Sequence, residues 1–344
     1  MEQLWKLAPG TIAPRPGYDA VALFRAIEEG KVKAALVMCT NPVQSLPNAG
    51  RYAEAMKKCF LVVADIVPDS QTAKLASVLL PAALWVEKEG VLGQTERRYQ
   101  LVEKLLDPPG EARSDLHILV DFAERLGHGQ LITARTPEAV WNEWRTLSSH
   151  SKYNFAGITY ERLRRLPGLQ WPCPTEQSPG TVRRYVGGDD PLVTPGAKVE
   201  FYGHPDKRAV VFLRPYHPSP EAPSREYPFL LTTGRVLEQW HTGTMTERIA
   251  DLAKAAGRGH FEINDQDAFT LAIKTGDSIR VRSQFGELTG KALVTAAPRQ
   301  GVLFAAFFDA AFLINRTVSD AVDAISKQPE FKVTAVNVAK VEER

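Results

Sequence analysis

The stretch VKAALVMCTNPVQSLPNAGRYAEAMKKCFLVVADIVPDSQ, residues 32–71, decides the fold. Its start, Val32 to Met38, is a short apolar run that ends in Asn, Pro, Ser and a second Pro, the pattern of a buried strand with a loop at its carboxyl end. The pattern then repeats as the helix RYAEAMKKC, the strand FLVVADI, the loop VPDSQ and a helix expected from about Thr72. Strand, helix, strand and helix in this order predict a parallel α/β layer of the dinucleotide-fold kind. Ligands of such layers lie outside the carboxyl ends of the strands, which puts Asn41 and Asp65 on one rim. Asp65 alone reads first as a helix cap or loop acid. Neither GxGxxG nor a Walker-type GxxxxGK occurs, so a nicotinamide or ATP site is poorly supported.

Further along, DLHILVDFAER (Asp115 to Arg125) sets Leu116, Leu119, Val120 and Ala123 on one helical face, with Asp115 near the N-terminus where a carboxylate acts as a cap. A second short amphipathic helix is expected from Pro137 to Arg145. From Leu166 to Pro223 the chain fills with breakers (WPCP, SPG, GGDDP, TPG, HPD, PYHPSPEAP) and reads as an extended connector that packs on a surface through Trp171, Tyr185, Phe201 and Tyr202. After Tyr227 come short strands: YPFLLTTG, DSIRVRSQFGELTGKALVT around the Gly286 turn, GVLFAAFF and FKVTAVNVAKV. Regularly spaced strands with Gly turns predict a compact β-barrel. The expected division is therefore an α/β region over 1–165, a Pro/Gly-rich connector over 166–226 and a barrel over 227–344.

The chain has 344 residues and a mass of 38.0 kDa, enough for roughly two domains of about 150 residues. Lys+Arg 42 against Asp+Glu 40 leaves a charge of +2, so no basic field argues for nucleic acid. The longest apolar stretches, Ala34 to Val37 and Ala76 to Val86, fall short of the ~20 residues of a membrane helix, so no membrane insertion is expected. The opening MEQLWKLAPGTIAPRPGYDA lacks a positive segment followed by an apolar run, and no secretory signal is expected in it. Three cysteines, Cys39, Cys59 and Cys173, make neither a disulfide framework nor a CxxC pair and read as small buried fillers. An iron-sulfur cluster held by this chain alone is excluded, because it needs four thiolates.

The densest polar cluster is TTGRVLEQWHTGTMTER, Thr232 to Arg248. It leaves a strand end, passes Gly234, His241 and Gly243, and is expected to open a helix with Met245, Ile249, Leu252 and Ala256 on its apolar face. Backbone N–H groups and the positive end of a helix dipole there would seat a pyrophosphate, with Arg235 as a bidentate donor and Trp240 or His241 against a ring. The plain alternative is a connecting loop with a buried Trp. His241 has no assignable partner carboxylate and does not by itself argue for general-base catalysis. Two further clusters are less specific: EKEGVLGQTERRYQ (Glu87 to Gln100), whose Lys88, Arg97 and Arg98 face an anion or solvent, and FFDAAFLIN (Phe307 to Asn315), which reads first as core.

Taken in order, MCTNPVQSLPN, LPAALWVEKEG, ERR, PPGEARSDL, WPCPTE, TTGRVLEQWHTGTMTER, HFEINDQDA and FFDAAFLINRTVSDAVDAISKQPEFK resemble the C-terminal portion of the periplasmic nitrate reductase catalytic subunits, a branch of the molybdopterin oxidoreductase superfamily. The resemblance covers almost the whole chain. EKEG and ERR are shared with assimilatory nitrate reductases and formate dehydrogenases, whereas EQWHTGTMTER and SKQPEFK favour the periplasmic branch. Gln94 stands where the family usually has Asn, and Gln239 where it often has His.

The resemblance implies an α/β region followed by a double-psi type barrel that together bind molybdenum bis(molybdopterin guanine dinucleotide). It implies cofactor contacts at Asn41, Ala64, Asp65, Lys88 and Asp115, along the loop Thr233, Gly234, Arg235, Val236, Leu237, Glu238, Gln239, Trp240, His241 and Thr242, and at Asn315 and Lys332. Phe307 would line the substrate site. The carboxylates of Asp65 and Asp115 would suit guanine N–H donors. No metal ligand is expected in this chain: the molybdenum thiolate, the [4Fe-4S] cysteines and the export signal belong to the family's N-terminal half. The chain therefore reads as a fragment or one product of a split gene. The implied partners are that N-terminal half, nitrate and a c-type cytochrome electron donor, in the periplasm by resemblance, with the cytoplasm as the alternative because no secretory signal is read in this chain. The alternatives are an assimilatory nitrate reductase or formate dehydrogenase, or a non-catalytic molybdopterin-binding fragment.

Overall fold

The computed structural model describes Glu2, Trp5 and residues 7–342; the other residues of the opening stretch and the last two of the expected barrel segment lie outside the described residues. Contacts divide the chain into two units, one formed by Gly17–Pro81 with Tyr216–Arg344 and the other by Met1–Pro16 with Ala82–Pro215. This differs from the sequential division expected above. The first α/β residues belong with the barrel, and most of the connector packs with the segment before it.

In the first unit, α1 (Ala20–Glu28) starts at Asp19, whose carboxylate accepts from the Ala22 N–H at 2.9 Å. β1 (Ala34–Met38), the short α2 (Pro42–Ser45), α3 (Ala49–Met56), β2 (Phe60–Asp65) and β3 (Val78–Pro81) follow. The three strands are parallel in the order β1-β2-β3; the apolar runs predict β1 and β2, whereas β3 is not expected from the sequence. Val37, Leu61 and Val63 on one face pack against Phe24, Ile27, Tyr52 and Met56 of α1 and α3. On the other face Leu36, Phe60 and Val78 are exposed. The helix expected from Thr72 is a single turn, Ala73–Leu75, and the chain then enters β3. Thr72 is held by the Asn41 carboxamide, Ser77 N–H donates to Leu61 O at 2.7 Å to begin strand pairing, and Pro81 cannot continue a helix.

The second unit contains the hairpin β4 (Gly90–Gly93) and β5 (Arg98–Val102), α4 (Asp115–Arg125), α5 (Pro137–Ser148), α6 (Tyr160–Arg165) and β6 (Leu169–Gln170), which pairs with β5. Ser114, not Asp115, caps α4. Trp141, Phe155, Ile158, Tyr160, Leu163 and Cys173 form its core. The connector is folded against this core. The Arg184 guanidinium lies 4.5–5.5 Å from the ring centroids of Tyr153, Trp171, Tyr185 and Tyr202, a cation–π cage that ties breaker-rich chain together.

The rest of the first unit is β7 (Phe229–Gly234), α7 (Ala250–Ala256), β8 (His260–Ile263), α8 (Asp265–Thr270), β9 (Ser278–Arg282), β10 (Glu287–Val294), β11 (Val302–Ala306) and β12 (Thr334–Lys340). The six strands close into a barrel in the order β10-β8-β11-β7-β12-β9. Alternate residues point inward, so Ile279 and Val281, Leu303 and Ala305, and Val336 and Val338 fill the interior with Phe261 and Phe312. Gly290 makes this packing possible: a Cβ there would lie 2.4 Å from the Phe312 ring and 3.1 Å from that of Phe261.

Candidate functional site

β7 and β11 lie side by side and parallel, with Gly234 opposite Ala306, so the loops leaving their carboxyl ends emerge together. The Phe307 N–H donates to Gly234 O at 3.2 Å. Arg235, the first residue of its loop, sets its guanidinium 5.5 Å from the Phe307 ring centroid, and its Nη2 lies 3.2 Å from His241 Nδ1. A guanidinium only donates, so Nδ1 is the acceptor in this contact. His241 has φ 49° and Gly243 φ 70°, the left-handed backbone that turns the loop back. Thr233 is buried and donates from Oγ1 to Phe331 O at 2.9 Å. Lys332 Nζ donates to Thr233 O; burial, followed by the nearby Arg235 charge, pulls its ammonium pKa below the ordinary value. Two cations therefore stand at the end of β7, an arrangement that attracts an anion.

The rim of the parallel sheet reaches the same place. Asn41 is buried beyond β1, where its Oδ1 accepts from the Thr72 N–H and hydroxyl and its Nδ2 donates to Gln44 Oε1 at 3.2 Å. Gln44, on α2, donates from Nε2 to the carbonyls of Thr242 (2.9 Å), Phe307 (3.3 Å) and Phe308. Asn315 is buried beside it, and its Nδ2 donates to the main-chain carbonyls of Gln44 (2.9 Å) and Ser45 (3.3 Å). Those two acceptors fix the orientation of the carboxamide, and the Asn315 Oδ1 is left buried with no hydrogen-bond partner. At the end of β2, Ala64 is buried, and Asp65 accepts from the Ile66 N–H at 2.7 Å and the Ser70 hydroxyl at 2.6 Å. Asp69, a few residues on, pairs with Arg248.

The structure thus brings Asn41, Thr233, Gly234, Arg235, His241, Thr242, Phe307, Asn315 and Lys332 into one bonded neighbourhood. Val236, Leu237 and Glu238 form the outer part of the loop, with Leu237 98% exposed. Trp240 is also exposed, edge-on to His241 with ring centroids 4.8 Å apart, rather than buried as a plain connecting loop would have it. Gln239 points inward: its Oε1 accepts from the Thr246 hydroxyl at 2.6 Å. That bond bears on the helix expected to open within Thr232–Arg248. Thr246 also accepts from the Trp240 N–H, and the chain makes only a single turn over Thr246–Arg248 before α7 begins at Ala250. Met245 and Ile249 are exposed rather than packed. Gly234–Thr242 does not itself run into a helix N-terminus, and the cations beside it are the side chains of Arg235 and Lys332. In the other unit, Lys88 pairs with Asp115, the first residue of α4. Gln94 closes the β4–β5 turn, its N–H donating to Arg98 O at 2.7 Å. Sequence reasoning missed Gln44 because a lone Gln in a short loop carries no pattern of its own.

Comparison with known proteins identifies residues 6–125 as matching the molybdopterin oxidoreductase family and residues 229–335 as matching the molydopterin dinucleotide binding domain. The chain belongs to the molybdopterin oxidoreductases. It is 45% identical over 345 residues to the periplasmic nitrate reductase of Desulfovibrio desulfuricans, covering 99% of this chain and 46% of that protein. It is 43% identical to a nitrate reductase of Symbiobacterium thermophilum, covering 98% of this chain and 45% of that protein. The match is to the C-terminal portion, and the chain spans about half the length of these curated relatives. Among solved structures, acetylene hydratase from Pelobacter acetylenicus superposes with a TM-score of 0.70 at 19% identity, over 93% of this chain and 46% of that one, a likeness of fold. Among the described residues no helix is long and apolar enough to cross a membrane, and no group of three or more His, Cys, Asp and Glu is placed to hold a metal ion.

Proposed function

We propose that this chain is the C-terminal, cofactor-binding part of a molybdenum-dependent nitrate reductase that converts nitrate, two electrons and two protons to nitrite and water. The observation that carries the reading is the 45% identity to a periplasmic nitrate reductase over essentially the whole chain. The site residues fit a molybdopterin dinucleotide. The buried Asn315 Oδ1 without a donor suits an N–H of a pterin ring, since a buried acceptor left unmet costs about 1–3 kcal/mol. Arg235 and Lys332 suit a pyrophosphate, with Arg235 able to make a bidentate bond. A carboxylate such as Asp65 suits the N–H edge of guanine, which favours the guanine form of the dinucleotide.

When bound, the molybdenum cofactor supplies the two-electron oxygen-atom chemistry. The chain's own residues bind and orient. Arg235 and Lys332 hold negative charge at the end of β7, Asn41 and Asn315 fix the rim, and His241, beside Arg235, can present a ring N–H to a bound group. Phe307 sits behind Arg235 and narrows the approach for nitrate. A [4Fe-4S] cluster, the molybdenum thiolate and the entry point for electrons from a c-type cytochrome belong to an N-terminal half like that of the relatives, and the complete enzyme works in the periplasm.

The test is to assay the complete enzyme, this chain joined to an N-terminal half, with nitrate, formate and chlorate as competing substrates and to measure its molybdenum and guanine content. Nitrate reduction at molybdenum stoichiometry is expected, and this chain purified alone is expected to show none. Formate oxidation without nitrate reduction overturns the reading.

A further inference from the structure

We propose that Gln44 is a positioning residue that locks the loop Arg235–Thr242 to the backbone at Phe307–Phe308, so that the two sides of the site are held at a fixed spacing. The inference deepens the reading given above and rests on it for the roles of the two sides. Gln44 is 2% exposed, and its one NH2 group, with two hydrogens, serves three carbonyls: Thr242 O at 2.9 Å, Phe307 O at 3.3 Å and Phe308 O. Thr242 closes the loop that begins at Arg235, whereas Phe307 and Phe308 begin the segment after β11. No backbone hydrogen bond joins Thr242 to that segment among the described residues, so the Gln44 amide supplies their direct polar link.

The amide is itself held on every side. Its Oε1 accepts from Asn41 Nδ2, Asn41 is fixed by Thr72, and the Gln44 main-chain carbonyl accepts from Asn315 Nδ2. Side-chain hydrogen bonds therefore run from the rim of the parallel sheet through one carboxamide to both loops. A group locked in this way by its own partners transmits position rather than merely filling space. Loss of the donor leaves the loop carbonyls to find other partners, and the Thr242 end of the loop is then free to move away from Phe307–Phe308, while its Arg235 end stays against Phe307.

The test uses Gln44→Met, which keeps the length and removes both polar atoms, and Gln44→Glu, which keeps the acceptor for Asn41 but removes the donor. Hydrogen exchange of the full 344-residue chain is followed at the amides of Gly243, Glu247 and Phe307, with strand amides of β7 and β11 as the reference. At least tenfold faster exchange at the three loop amides in both variants, with the strand amides within about twofold of the parent, is the expected result. Unchanged loop amides overturn the proposal, and so does an equal acceleration of loops and strands, which would mark a purely structural role. If Gln44→Met does not fold, Gln44→Glu alone decides. In the complete enzyme the variants should raise the nitrate KM about tenfold at unchanged kcat and molybdenum content, and an unchanged KM counts against positioning. If the unsubstituted enzyme does not reduce nitrate at all, the proposed function falls while exchange still decides the role of Gln44.

Discussion

Asp320→Asn offers a sharp test of how the barrel is joined to the parallel layer. Asp320 is 7% exposed and accepts from the hydroxyl of fully buried Tyr52 at 2.5 Å; Arg25 Nη2 lies at 3.1 Å and Arg51 Nη1 at 3.7 Å. Burial alone would raise the Asp320 carboxyl pKa, but Tyr52, Arg25 and Arg51 outweigh it and hold it below its ordinary value. A hydrogen bond to a charged group contributes about 1.5–3 kcal/mol, and an amide keeps only part of it. The Arg25 side chain is 44% exposed, so its ion pair is discounted to at most about 1 kcal/mol. The expected loss is about 2 kcal/mol at neutral pH, read as a lower urea midpoint at unchanged slope. The carboxyl pKa is depressed on folding, so its contribution is present above the unfolded value near 3.8 and fades as pH falls through the folded value. Parent and variant should therefore converge in stability in strong acid. The Tyr52 phenol is pushed up to about 12 by burial and then by the Asp320 bond, so its contribution is intact below pH 10.0 and is lost as pH rises toward 12. A difference below about 0.5 kcal/mol at neutral pH, or one that persists unchanged in acid, refutes the assignment of this bond as a latch.

Gly290→Ala should cost about 1–3 kcal/mol by forcing the Phe312 and Phe261 rings apart, seen as a lower thermal midpoint with altered near-ultraviolet dichroism. Arg235→Ala should weaken cofactor retention by about 1.5–3 kcal/mol, and unchanged molybdenum and guanine content after purification would make the loop only structural. Phe307→Ala in the complete enzyme should raise the nitrate KM or slow turnover with cofactor content intact, whereas loss of cofactor would show Phe307 to be packing.

Local pattern carried much of this structure. The apolar runs closed by Asn, Pro and Gly marked β1, β2, β7 and β11, the period-two alternation marked β9, β10 and β12, and the bounds of the helix at Asp115–Arg125 were read, although its buried residues are Ile118 and Val120 and Leu119 is exposed. These succeed because a strand or amphipathic helix writes its own periodicity into consecutive residues. The family motifs propose the loop from Thr233 to Thr242, Asn315 and Lys332 as contact residues because they too are contiguous strings. What the sequence could not decide rests on partners far along the chain. Ala73–Leu75 stops after one turn because Asn41 holds Thr72 and β2 offers a strand to pair with. The helix expected within Thr232–Arg248 begins only at Ala250, after a turn at Thr246 whose hydroxyl is taken by the nearby Gln239. Gln44 meets Phe308 across 264 residues and Tyr52 meets Asp320 across 268, so neither bond, nor the grouping of Gly17–Pro81 with the barrel, has a local signature. Sequence alone determined most of the elements and proposed the residues that would bind; tertiary packing decided where the remaining elements stop and which residues meet, because a buried polar group takes its role from whatever remote partner satisfies it.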